Sequence, residues 1–543
     1  MTTVNLSSLS PDDPSLERDP SESLALETDP DELSLLARDA AAMRGSGAVG
    51  LLTPKTEGQL ARWLRDNPDT AILAQGALTS LTGGATPDGD VVVSLRRMTS
   101  LDVRPSELRA TVGAGLVLAN LQEALMNEGL YYPPAPTHDG ATIGGNVSTN
   151  AAGAATFKYG TTRDWVERIR VVLRHGDVLE LRRGEHLLQP GDRLRIDGSR
   201  VIELAVPTYS SPSLKKSSVG YFVRTPWDPI DLFIGSEGTL GIITEVEVRL
   251  VERPAVLTGL VFVDSVARAL SLVESLRARS LRTRESGGDG LDVRSIEYFD
   301  RRCLILLRDG DKLSEHAVDV PDEAEACLLF EQEIAAGAAS SDDIVDRLIA
   351  AHDGGPTGDD AVGALMAVLV EHGVVESTEL AMPSDARRRA QLAAVREAIP
   401  LSISDWLVQK QKLHPEVHKA AGDMIVPFEH FASMLTKYYD AFVEQGVDLA
   451  VFGHISDGNV HPNALPRNAE DMAGAKRALL SLASEAKSLG GCPLSEHGVG
   501  KHPLKKQMLK TYWGSEVIGE MRAIKNAFDP SWTLARGILF DPA

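Results

Sequence analysis

Hydrophobic positions along the chain follow two spacings, one with the period of a helix and one with the short runs or alternation of a strand. Helical spacing predicts amphipathic helices that begin at Asp29-Pro30 and at Thr56, and a third helix over 118–128. A short apolar run predicts a buried strand at 71–74. As far as about Pro254, these elements are separated by long stretches of glycine and other small residues.

The pattern changes after Pro254, where strands and helices alternate without glycine-rich loops. This alternation predicts an antiparallel sheet backed by helices. The predicted strands are 256–263, 295–299, 304–307 and 328–331, and the predicted helices are 265–277, 343–351, 361–372, 385–398, 473–489 and 515–528. At the other end of the chain, residues 1–28 are rich in Ser, Pro, Asp and Glu, which predicts a disordered acidic tail.

Composition narrows the class of protein. The chain has 543 residues, which is too many for one hydrophobic core, so two or three domains are expected. A formal net charge of -22 argues against nucleic-acid binding. The three cysteines, Cys303, Cys327 and Cys492, have no zinc-site spacing and predict a reducing compartment. No apolar run approaches the roughly 20 residues of a membrane span. The N-terminus lacks the features of a signal peptide, so we expect a cytoplasmic protein, with peripheral contact at a membrane left open.

A short segment near the end of the chain, FGHISDGNVHPN at 452–463, concentrates candidate chemistry. Asp457-Gly458 is typical of a two-residue hairpin turn, because a type I′ turn needs positive φ at both central positions. With that turn, His454 lies directly opposite His461, and Asn463 shares their face of the hairpin. The two imidazoles are then either a clamp for one divalent metal or a pair of exposed hairpin histidines.

Three stretches of small residues in the first half indicate a large ligand. Residues 75–84 follow a predicted strand, and their glycines and hydroxyls suit either a loop that wraps phosphate or an ordinary turn. Their spacing matches neither GxGxxG nor GxxxxGK[ST], so the dinucleotide fingerprint and the P-loop are both absent from it. Residues 133–153 and 233–244 cannot build a core of their own, but such segments let backbone approach a large flat ligand closely.

Four motifs occur in a fixed order: ATIGGNVSTNAAG, FIGSEGTLGIITEVEV, FGHISDGNVHPN and SEHGVGK. Together they resemble the FAD-linked oxidases of the vanillyl-alcohol-oxidase type. Within that family the chain is most similar to the D-2-hydroxy-acid dehydrogenases, namely D-lactate dehydrogenase, the glycolate oxidase flavin subunit and D-2-hydroxyglutarate dehydrogenase. The resemblance covers about residues 29–543. It implies an α+β fold with a two-subdomain FAD-binding domain at 29–254 and an antiparallel-sheet cap domain at 255–525 that holds the substrate and metal. A C-terminal segment, 526–543, is expected to return to the FAD-binding domain.

The resemblance implies that the cofactor is noncovalent FAD. The first glycine-rich loop would wrap the pyrophosphate, and the other two stretches would line the rest of the cofactor. Relatives usually have consecutive glycines where this chain has Ala77-Leu78, so Leu78 is expected to avoid positive φ. No histidine lies in the pyrophosphate loop to attach the flavin, and His138 is the nearest one. The implied cofactor-binding residues are Gly76, Ala77, Leu78, Thr79, Ser80, Gly83, Gly84, Pro136, Thr142, Ile143, Gly144, Gly145, Asn146, Thr149, Asn150, Gly153, Ala154, Gly160, Glu237, Gly238, Gly241, Ile242 and Ile243.

The resemblance also implies a metal site formed by His454, His461 and Glu496. Two imidazoles and one carboxylate with open positions suit a metal that binds substrate, with Zn as the first choice and Mn or Fe(II) as alternatives. Such a metal would lower the pKa of a substrate hydroxyl. His497 is then the expected base for the hydroxyl proton, and the hydride on Cα would pass to the flavin.

Three further residues are implied in substrate binding. Arg396 would bind the substrate carboxylate, because a guanidinium suits bidentate contact with a carboxylate. Lys419 would be a second cation, and Asn463 a hydrogen-bonding neighbour on the hairpin face.

The resemblance therefore implies FAD- and metal-dependent oxidation of a D-2-hydroxy acid, with D-lactate first and D-2-hydroxyglutarate or glycolate as alternatives. No nicotinamide fingerprint is visible, so the expected electron acceptor is a quinone, a cytochrome or an electron-transfer flavoprotein. A homodimer is compatible with the sequence. Two other interpretations are a flavoenzyme of the same fold with different chemistry, such as an aryl-alcohol oxidase or an alkylglycerone-phosphate synthase, and a noncatalytic electron-transfer subunit. The set of His454, His461, Glu496 and His497 argues against both.

Overall fold

The chain folds into two compact units. The computed structural model describes residues 2–16, 24–41, 43–134, 136, 138–334, 341–353, 355, 357–358 and 360–542. The first unit comprises Met1–Gly153, Gly160–Glu252 and Leu494–Ala543, and the second comprises Ala154–Tyr159 and Arg253–Pro493. Among the helices described, none combines the length and the apolar character needed to cross a membrane.

The secondary structure mixes strands and α-helices throughout. The strands are β1 (Thr3–Ser7), β2 (Gly47–Leu52), β3 (Ile72–Gln75), β4 (Asp88–Ser94), β5 (Leu101–Arg104), β6 (Arg109–Gly113), β7 (Leu130–Tyr131), β8 (Val166–Val172), β9 (Val178–Arg182), β10 (Arg193–Asp197), β11 (Ile202–Ala205), β12 (Ile242–Arg249), β13 (Val251–Glu252), β14 (Ala255–Val263), β15 (Val293–Asp300), β16 (Ala326–Ile334), β17 (Thr378–Ala381), β18 (Met424–Ile425), β19 (Asp448–His454) and β20 (Asn459–Leu465). The helices are α1 (Pro30–Ser34), α2 (Glu57–Asp66), α3 (Leu118–Asn127), α4 (Ile143–Thr149), α5 (Thr156–Tyr159), α6 (Ile230–Phe233), α7 (Val266–Ser286), α8 (Arg301–Asp309), α9 (Ser341–His352), α10 (Ala361–Glu371), α11 (Ala386–Gln411), α12 (Phe431–Glu444), α13 (Ala469–Ser488) and α14 (Pro503–Phe528).

The first unit contains one five-stranded sheet and, among its smaller sheets, two of three strands, of which one has the order β1-β10-β11. A five-stranded antiparallel sheet has the order β5-β6-β12-β8-β9, and a three-stranded parallel sheet has the order β2-β4-β3. Thr56 caps α2 through a hydrogen bond from the amide of Gln59, as the sequence predicts. Leu60 and Leu64 of α2 then pack with Ile72 in one buried core. The glycine-rich loop that follows β3 therefore begins at the end of a strand that is packed in this core.

The N-terminal segment is more ordered than its composition predicts. Residues Thr3–Ser7 form β1, which pairs in parallel with β10. Leu6 and Leu16 are both buried. The prediction of disorder is therefore wrong for the described part of residues 1–28, because these few apolar side chains find partners in the first unit. Residues 17–23 lie outside the described part of the chain.

The C-terminal part of the chain belongs to the first unit from Leu494 onward, which is earlier than the predicted return at residue 526. The amide of Ser218 donates to the carbonyl of Leu494 at 2.9 Å. Further on, the amide of Ile72 donates to the carbonyl of Thr533 at 2.7 Å, so the last segment extends the edge at β3. The SEHGVGK motif and α14 are thus parts of the first unit.

The second unit is built on one seven-stranded antiparallel sheet, with the order β17-β14-β16-β15-β19-β20-β18. This is the sheet that the alternation after Pro254 predicts. The strand predicted at 304–307 is wrong, because those residues lie in α8. Asp300 caps that helix by accepting from the amide of Cys303, and Cys303, Leu304 and Leu307 have helical spacing on its buried side. A short apolar run does not by itself distinguish a strand from a buried helix.

Candidate functional site

The histidine hairpin has a different register from the predicted one. Residues Ile455–Asp457 form a single turn of 3₁₀-helix, and Gly458 alone closes it in the left-handed region, with φ 82°. His454 therefore pairs with Asn459, and His461 pairs with Phe452. The predicted two-residue turn and the direct His454–His461 pairing are wrong, because Asp457 does not adopt the positive φ that a type I′ turn requires.

The prediction that both imidazoles share one face of the hairpin is confirmed. The register differs from the predicted one by an even number of residues, and only an odd slip moves a side chain to the other face. The two rings meet edge to face with centroids 5.5 Å apart. Both side chains are buried rather than exposed, with His454 0% and His461 5% exposed. Gly453 makes room for this contact, because a Cβ there would lie 3.0 Å from Cδ2 of His461.

A buried carboxylate on the neighbouring strand contacts two of the predicted site residues. Glu297 of β15 accepts from Nδ1 of His454 at 2.5 Å through Oε1 and from Nε of Arg396 at 3.1 Å through Oε2. Burial alone would raise the pKa of this carboxyl, but the charges of His454 and Arg396 and their hydrogen bonds hold the pKa of Glu297 well below its usual range. A metal-ligand candidate and a carboxylate-binding candidate are thus joined through one anion.

The segment before β18 runs along the other side of the hairpin. Ala421 forms a bridge with Asn463, and the amide of Ala464 donates to the carbonyl of Ala420 at 2.9 Å. Lys419 directly precedes this segment, so the second predicted cation lies beside the strand that carries Asn463. The amide side chain of Asn463 donates to the carbonyl of His461 at 2.7 Å, which fixes its orientation.

The same segment supplies a second buried carboxylate. Oδ1 of Asp423 lies 3.8 Å from Nδ1 of His461, and Asp423 is 2% exposed. Each histidine of the hairpin therefore turns its Nδ1 edge toward a buried carboxylate. A carboxylate hydrogen-bonded to one ring nitrogen, as Glu297 is to His454, is the usual environment of a histidine whose other nitrogen binds a metal. Asp423 lies near His461 at a longer distance, and the donor set of the second unit fits a divalent ion.

The SEHGVGK motif forms a loop of the first unit, and an ion pair holds this loop in place. Nζ of Lys216 lies 2.7 Å from Oε2 of Glu496, and both side chains are buried. His497 follows, with Nε2 3.6 Å from Oε1 of Glu496. Further along the loop, the amides of Val499 and Gly500 both donate to the carboxylate of Glu237 at 2.8 Å. Burial raises the pKa of Glu237, against the effect of those two amides.

Glu237 therefore has a visible structural task beside its predicted contact with the cofactor. It joins the third stretch of small residues, 233–244, to the loop of Glu496 and His497, and all of these residues belong to the first unit. The predicted base and the predicted cofactor segment are thereby fixed in one local framework.

The glycine-rich loop after β3 is shaped for an anion. In the part of the chain that the structure describes, the amides of Ala77, Leu78 and Thr79 donate to no other residue. Leu78 has φ 61°, so the prediction that it avoids positive φ is wrong. Leu78 is thus held in a left-handed conformation that costs a non-glycine residue about 1–2 kcal/mol. Unpaired amides beside a residue in the left-handed region are a backbone arrangement that suits an anion.

Helix α4 brings the three predicted cofactor segments together. Thr142 caps its first turn by accepting from the amide of Gly145, and a Cβ at Gly76 would lie 2.3 Å from Oγ1 of Thr142. At the other end, the amide of Glu237 donates to the carbonyl of Ser148 at 2.8 Å. These contacts place the first and third stretches at opposite ends of the second stretch.

One buried polar atom in this region has no partner among the described residues, namely Nδ2 of Asn146 within α4. A buried hydrogen-bond donor without an acceptor destabilises a folded protein unless a bound ligand supplies the acceptor. Together with the unpaired amides after β3, this donor fits a polar cofactor such as FAD. Ala154 of the predicted cofactor set belongs to the second unit, and Gly160 to the first.

Three of these contact residues were missed by the sequence analysis, namely Lys216, Glu297 and Asp423. The available signal for Glu297 was a carboxylate inside the apolar strand SIEYF, since ionised groups are seldom buried without a partner. Asp423 gives the same signal, because it directly precedes the apolar residues of the sequence MIV. Lys216 lies in SLKKSS, where nothing distinguishes it from Lys215.

Comparison with known proteins identifies the family. The model of the FAD binding domain matches residues 48–182, and the model of the C-terminal domain of FAD linked oxidases matches residues 258–539. Glycolate oxidase subunit GlcD of Bacillus subtilis is 28% identical, over 92% of this chain and 91% of its own length. D-2-hydroxyglutarate dehydrogenase of Stutzerimonas stutzeri is 28% identical over 94% and 95%, and D-lactate dehydrogenase of Archaeoglobus fulgidus is 27% identical over 86% and 85%.

The fold is also shared with a solved structure. The structure of alkyldihydroxyacetonephosphate synthase superposes with a TM-score of 0.57 at 17% identity, over 94% of this chain and 81% of that one. The predicted α+β architecture of the vanillyl-alcohol-oxidase type is therefore confirmed, as is FAD as the cofactor. With family models that cover both its FAD-binding and its C-terminal regions, the chain belongs to the FAD-linked oxidases and is an FAD-linked oxidoreductase.

Proposed function

We propose that this protein oxidises a D-2-hydroxy acid to the 2-oxo acid, with FAD and a divalent metal. D-lactate is the first candidate, followed by D-2-hydroxyglutarate and glycolate. The observation that carries this proposal is the contact of one buried carboxylate, Glu297, with both His454 and Arg396. The relatives named above act on glycolate, 2-hydroxyglutarate and lactate, which are all 2-hydroxy carboxylates.

A 2-hydroxy acid presents two groups on adjacent carbons, a carboxylate and a hydroxyl. Arg396 binds the carboxylate, since a guanidinium provides paired N–H donors, and Lys419 adds a second positive charge. Asn463 completes the hydrogen bonding on the hairpin face. Because the carboxylate is fixed, the adjacent hydroxyl is directed to one place beside the histidines.

A divalent ion, when bound, supplies the positive charge that lowers the pKa of the substrate hydroxyl. His454 and His461 would hold it through the nitrogens opposite the edges that face Glu297 and Asp423. Glu496 is the third ligand that the sequence predicts, and it is tested separately below. Zn is the first choice, with Mn and Fe(II) as alternatives.

Oxidation removes two electrons and two hydrogens from the substrate. His497 takes the hydroxyl proton, and FAD supplies the acceptor for the hydride that leaves Cα. The hydroxyl oxygen becomes the carbonyl oxygen of the 2-oxo acid. Without proton removal, a hydride would have to leave a neutral alcohol, which is unfavourable. The electrons then pass to a quinone, a cytochrome or an electron-transfer flavoprotein.

Anaerobic reduction of the bound flavin tests this function. The purified protein is mixed with D- and L-lactate, D- and L-2-hydroxyglutarate and glycolate, before and after treatment with a chelator. We expect a D-acid to bleach the flavin absorbance and the chelator to slow that reduction, with Zn, Mn or Fe(II) restoring it. Precipitation with acid is expected to release the flavin into the supernatant, since we propose noncovalent FAD.

Matched variants separate the roles of the individual residues. His461→Ala and Glu496→Gln are expected to lose metal and flavin reduction, whereas His414→Ala, at an exposed histidine of the second unit, is expected to retain both. A flavin that no 2-hydroxy acid bleaches would overturn the proposal. That result would favour other chemistry on the same fold, or a noncatalytic electron-transfer subunit.

A further inference from the structure

The two carboxylate oxygens of Glu297 accept hydrogen bonds from two different elements of the second unit. Oε1 accepts from His454 at the end of β19, and Oε2 accepts from Arg396 in the middle of α11. The Glu297 side chain is 4% exposed, and the side chains of His454 and Arg396 are 0% and 13% exposed. Bonds to charged partners in such a buried setting are strong and strictly directional.

The contact with His454 determines which nitrogen carries the proton. A carboxylate can only accept, so Nδ1 of His454 donates and the lone pair lies on Nε2, across the ring. This is the tautomer that binds a metal through Nε2. The anion also increases the basicity of the ring and holds its plane.

The contact with Arg396 determines the orientation of the guanidinium. Because the group is planar, one hydrogen bond at Nε fixes the plane in which both Nη groups lie. The Nη1–Nη2 edge is the one that meets a carboxylate end-on with two parallel hydrogen bonds. Glu297 thus sets the direction from which a substrate carboxylate approaches.

We propose that Glu297 is a positioning residue that couples the metal site to the substrate-carboxylate site, so that one carboxylate sets the geometry of both. This inference rests on the proposed function. It makes Glu297 responsible for the spacing between the hydroxyl-binding and carboxylate-binding groups. That spacing is the feature that distinguishes a 2-hydroxy acid from other alcohols and other acids.

The same sheet offers a matched control. Glu331 of β16 lies 2.7 Å from Nε of Arg294, and it pairs across the sheet with Ser295, two positions before Glu297. Glu331 therefore lies on the same face of the sheet, in a carboxylate–arginine pair in which the carboxylate side chain is 29% exposed. The contacts described for it involve Arg294 and Ser295 but no histidine.

The test compares Glu297→Gln with Glu331→Gln in the FAD-loaded protein. Glutamine at 297 can accept through its carbonyl from one partner, but its amide group is a donor and opposes the other. We expect the Kd for Zn, measured by competition with a chelator and without substrate, to rise about 10–100-fold. The KM for the reducing 2-hydroxy acid is expected to rise at least about 10-fold in the metal-saturated enzyme, because Arg396 loses its fixed plane. Glu331→Gln is expected to leave both values within about twofold.

Arg396→Lys separates the two branches of the coupling. It is expected to raise KM but to leave the Kd for Zn near the wild-type value, because the bond between Glu297 and His454 remains. In the Arg396→Lys background, Glu297→Gln is then expected to weaken Zn binding with little further change in KM. Independent, additive effects on KM would contradict the coupling.

Glu297→Asp keeps the charge and serves if the glutamine variant does not fold. Its side chain is one methylene shorter and cannot reach both partners, so at least one of the two constants is expected to change about 10-fold. Folded Glu297→Gln or Glu297→Asp protein with both constants unchanged overturns the inference while the proposed function stands. A wild-type protein that binds no metal and is reduced by no 2-hydroxy acid overturns both.

Discussion

The ion pair between Lys216 and Glu496 gives the sharpest stability prediction. Lys216→Met removes the ammonium but keeps most of the apolar stem, so packing is largely preserved. The two side chains are 0% and 6% exposed, and the atoms of the pair are 2.7 Å apart. Removing one member of a buried ion pair typically costs about 3–5 kcal/mol, because the other charge remains in a low-dielectric setting. We therefore expect the first unit to lose about that much stability.

Thermal unfolding followed by flavin fluorescence measures this loss, since the flavin is released when the first unit unfolds. At about 2–4 °C per kcal/mol, the transition is expected to fall by at least about 6 °C. Lys215→Met is the matched control, because Lys215 is the exposed neighbour of Lys216 and its loss is expected to leave the midpoint unchanged.

A double mutant cycle completes the test. Replacing both members of the pair, as Lys216→Met with Glu496→Gln, is expected to be less destabilising than Lys216→Met alone, since the buried carboxylate that lost its ammonium partner is then removed as well. A shift in Lys216→Met no larger than that of Lys215→Met would refute the reasoning. Full additivity of the two substitutions would refute it as well.

Two further predictions follow from the backbone and from one buried acid. Leu78→Gly is expected to keep FAD and to leave the stability of the first unit within about 1 kcal/mol of the wild type. Leu78→Val is expected to lose flavin, because a β-branched residue fits φ 61° poorly. Equal flavin content in the two variants would contradict this prediction. Burial raises the pKa of Asp300 to about 6, against the hydrogen bonds from Cys303 and Val451. The folded protein therefore keeps a proton on Asp300 up to a higher pH than the unfolded chain does. The stabilisation that this proton gives is complete below about pH 4 and is lost as the pH rises through about 6. Over that range the free energy of unfolding is expected to fall by about 3 kcal/mol. Urea unfolding between about pH 4 and 7 is expected to show this slope in the wild type and a smaller one in Asp300→Asn, and identical slopes would contradict it.

Local signals in the sequence were reliable where the structure depends on neighbours along the chain. The cap at Thr56 and the start of α2 follow from a hydroxyl placed before an amphipathic run. The antiparallel sheet of the second unit follows from the alternation of elements after Pro254. The four motifs identified the family because they carry the close-approach and ligand residues in a fixed order.

The errors arose where a distant segment decides the local conformation. The chain around Asp457 forms a 3₁₀ turn although Asp-Gly favours a two-residue turn, and Gly458 there approaches the carbonyl of Val426. Leu78 takes positive φ although leucine disfavours it. Residues Thr3–Ser7 become a strand only because β10 provides an edge for pairing.

By itself, the sequence determined the family, the cofactor, the succession of elements and the face shared by His454 and His461. These features depend on residue type, spacing and strand alternation, which are properties of the chain. Only the tertiary structure showed that Glu297 joins His454 to Arg396 and that Lys216 is the partner of Glu496. In both cases the partner of the buried charge comes from a remote part of the chain, and it is selected by the need to satisfy that charge once packing has excluded water.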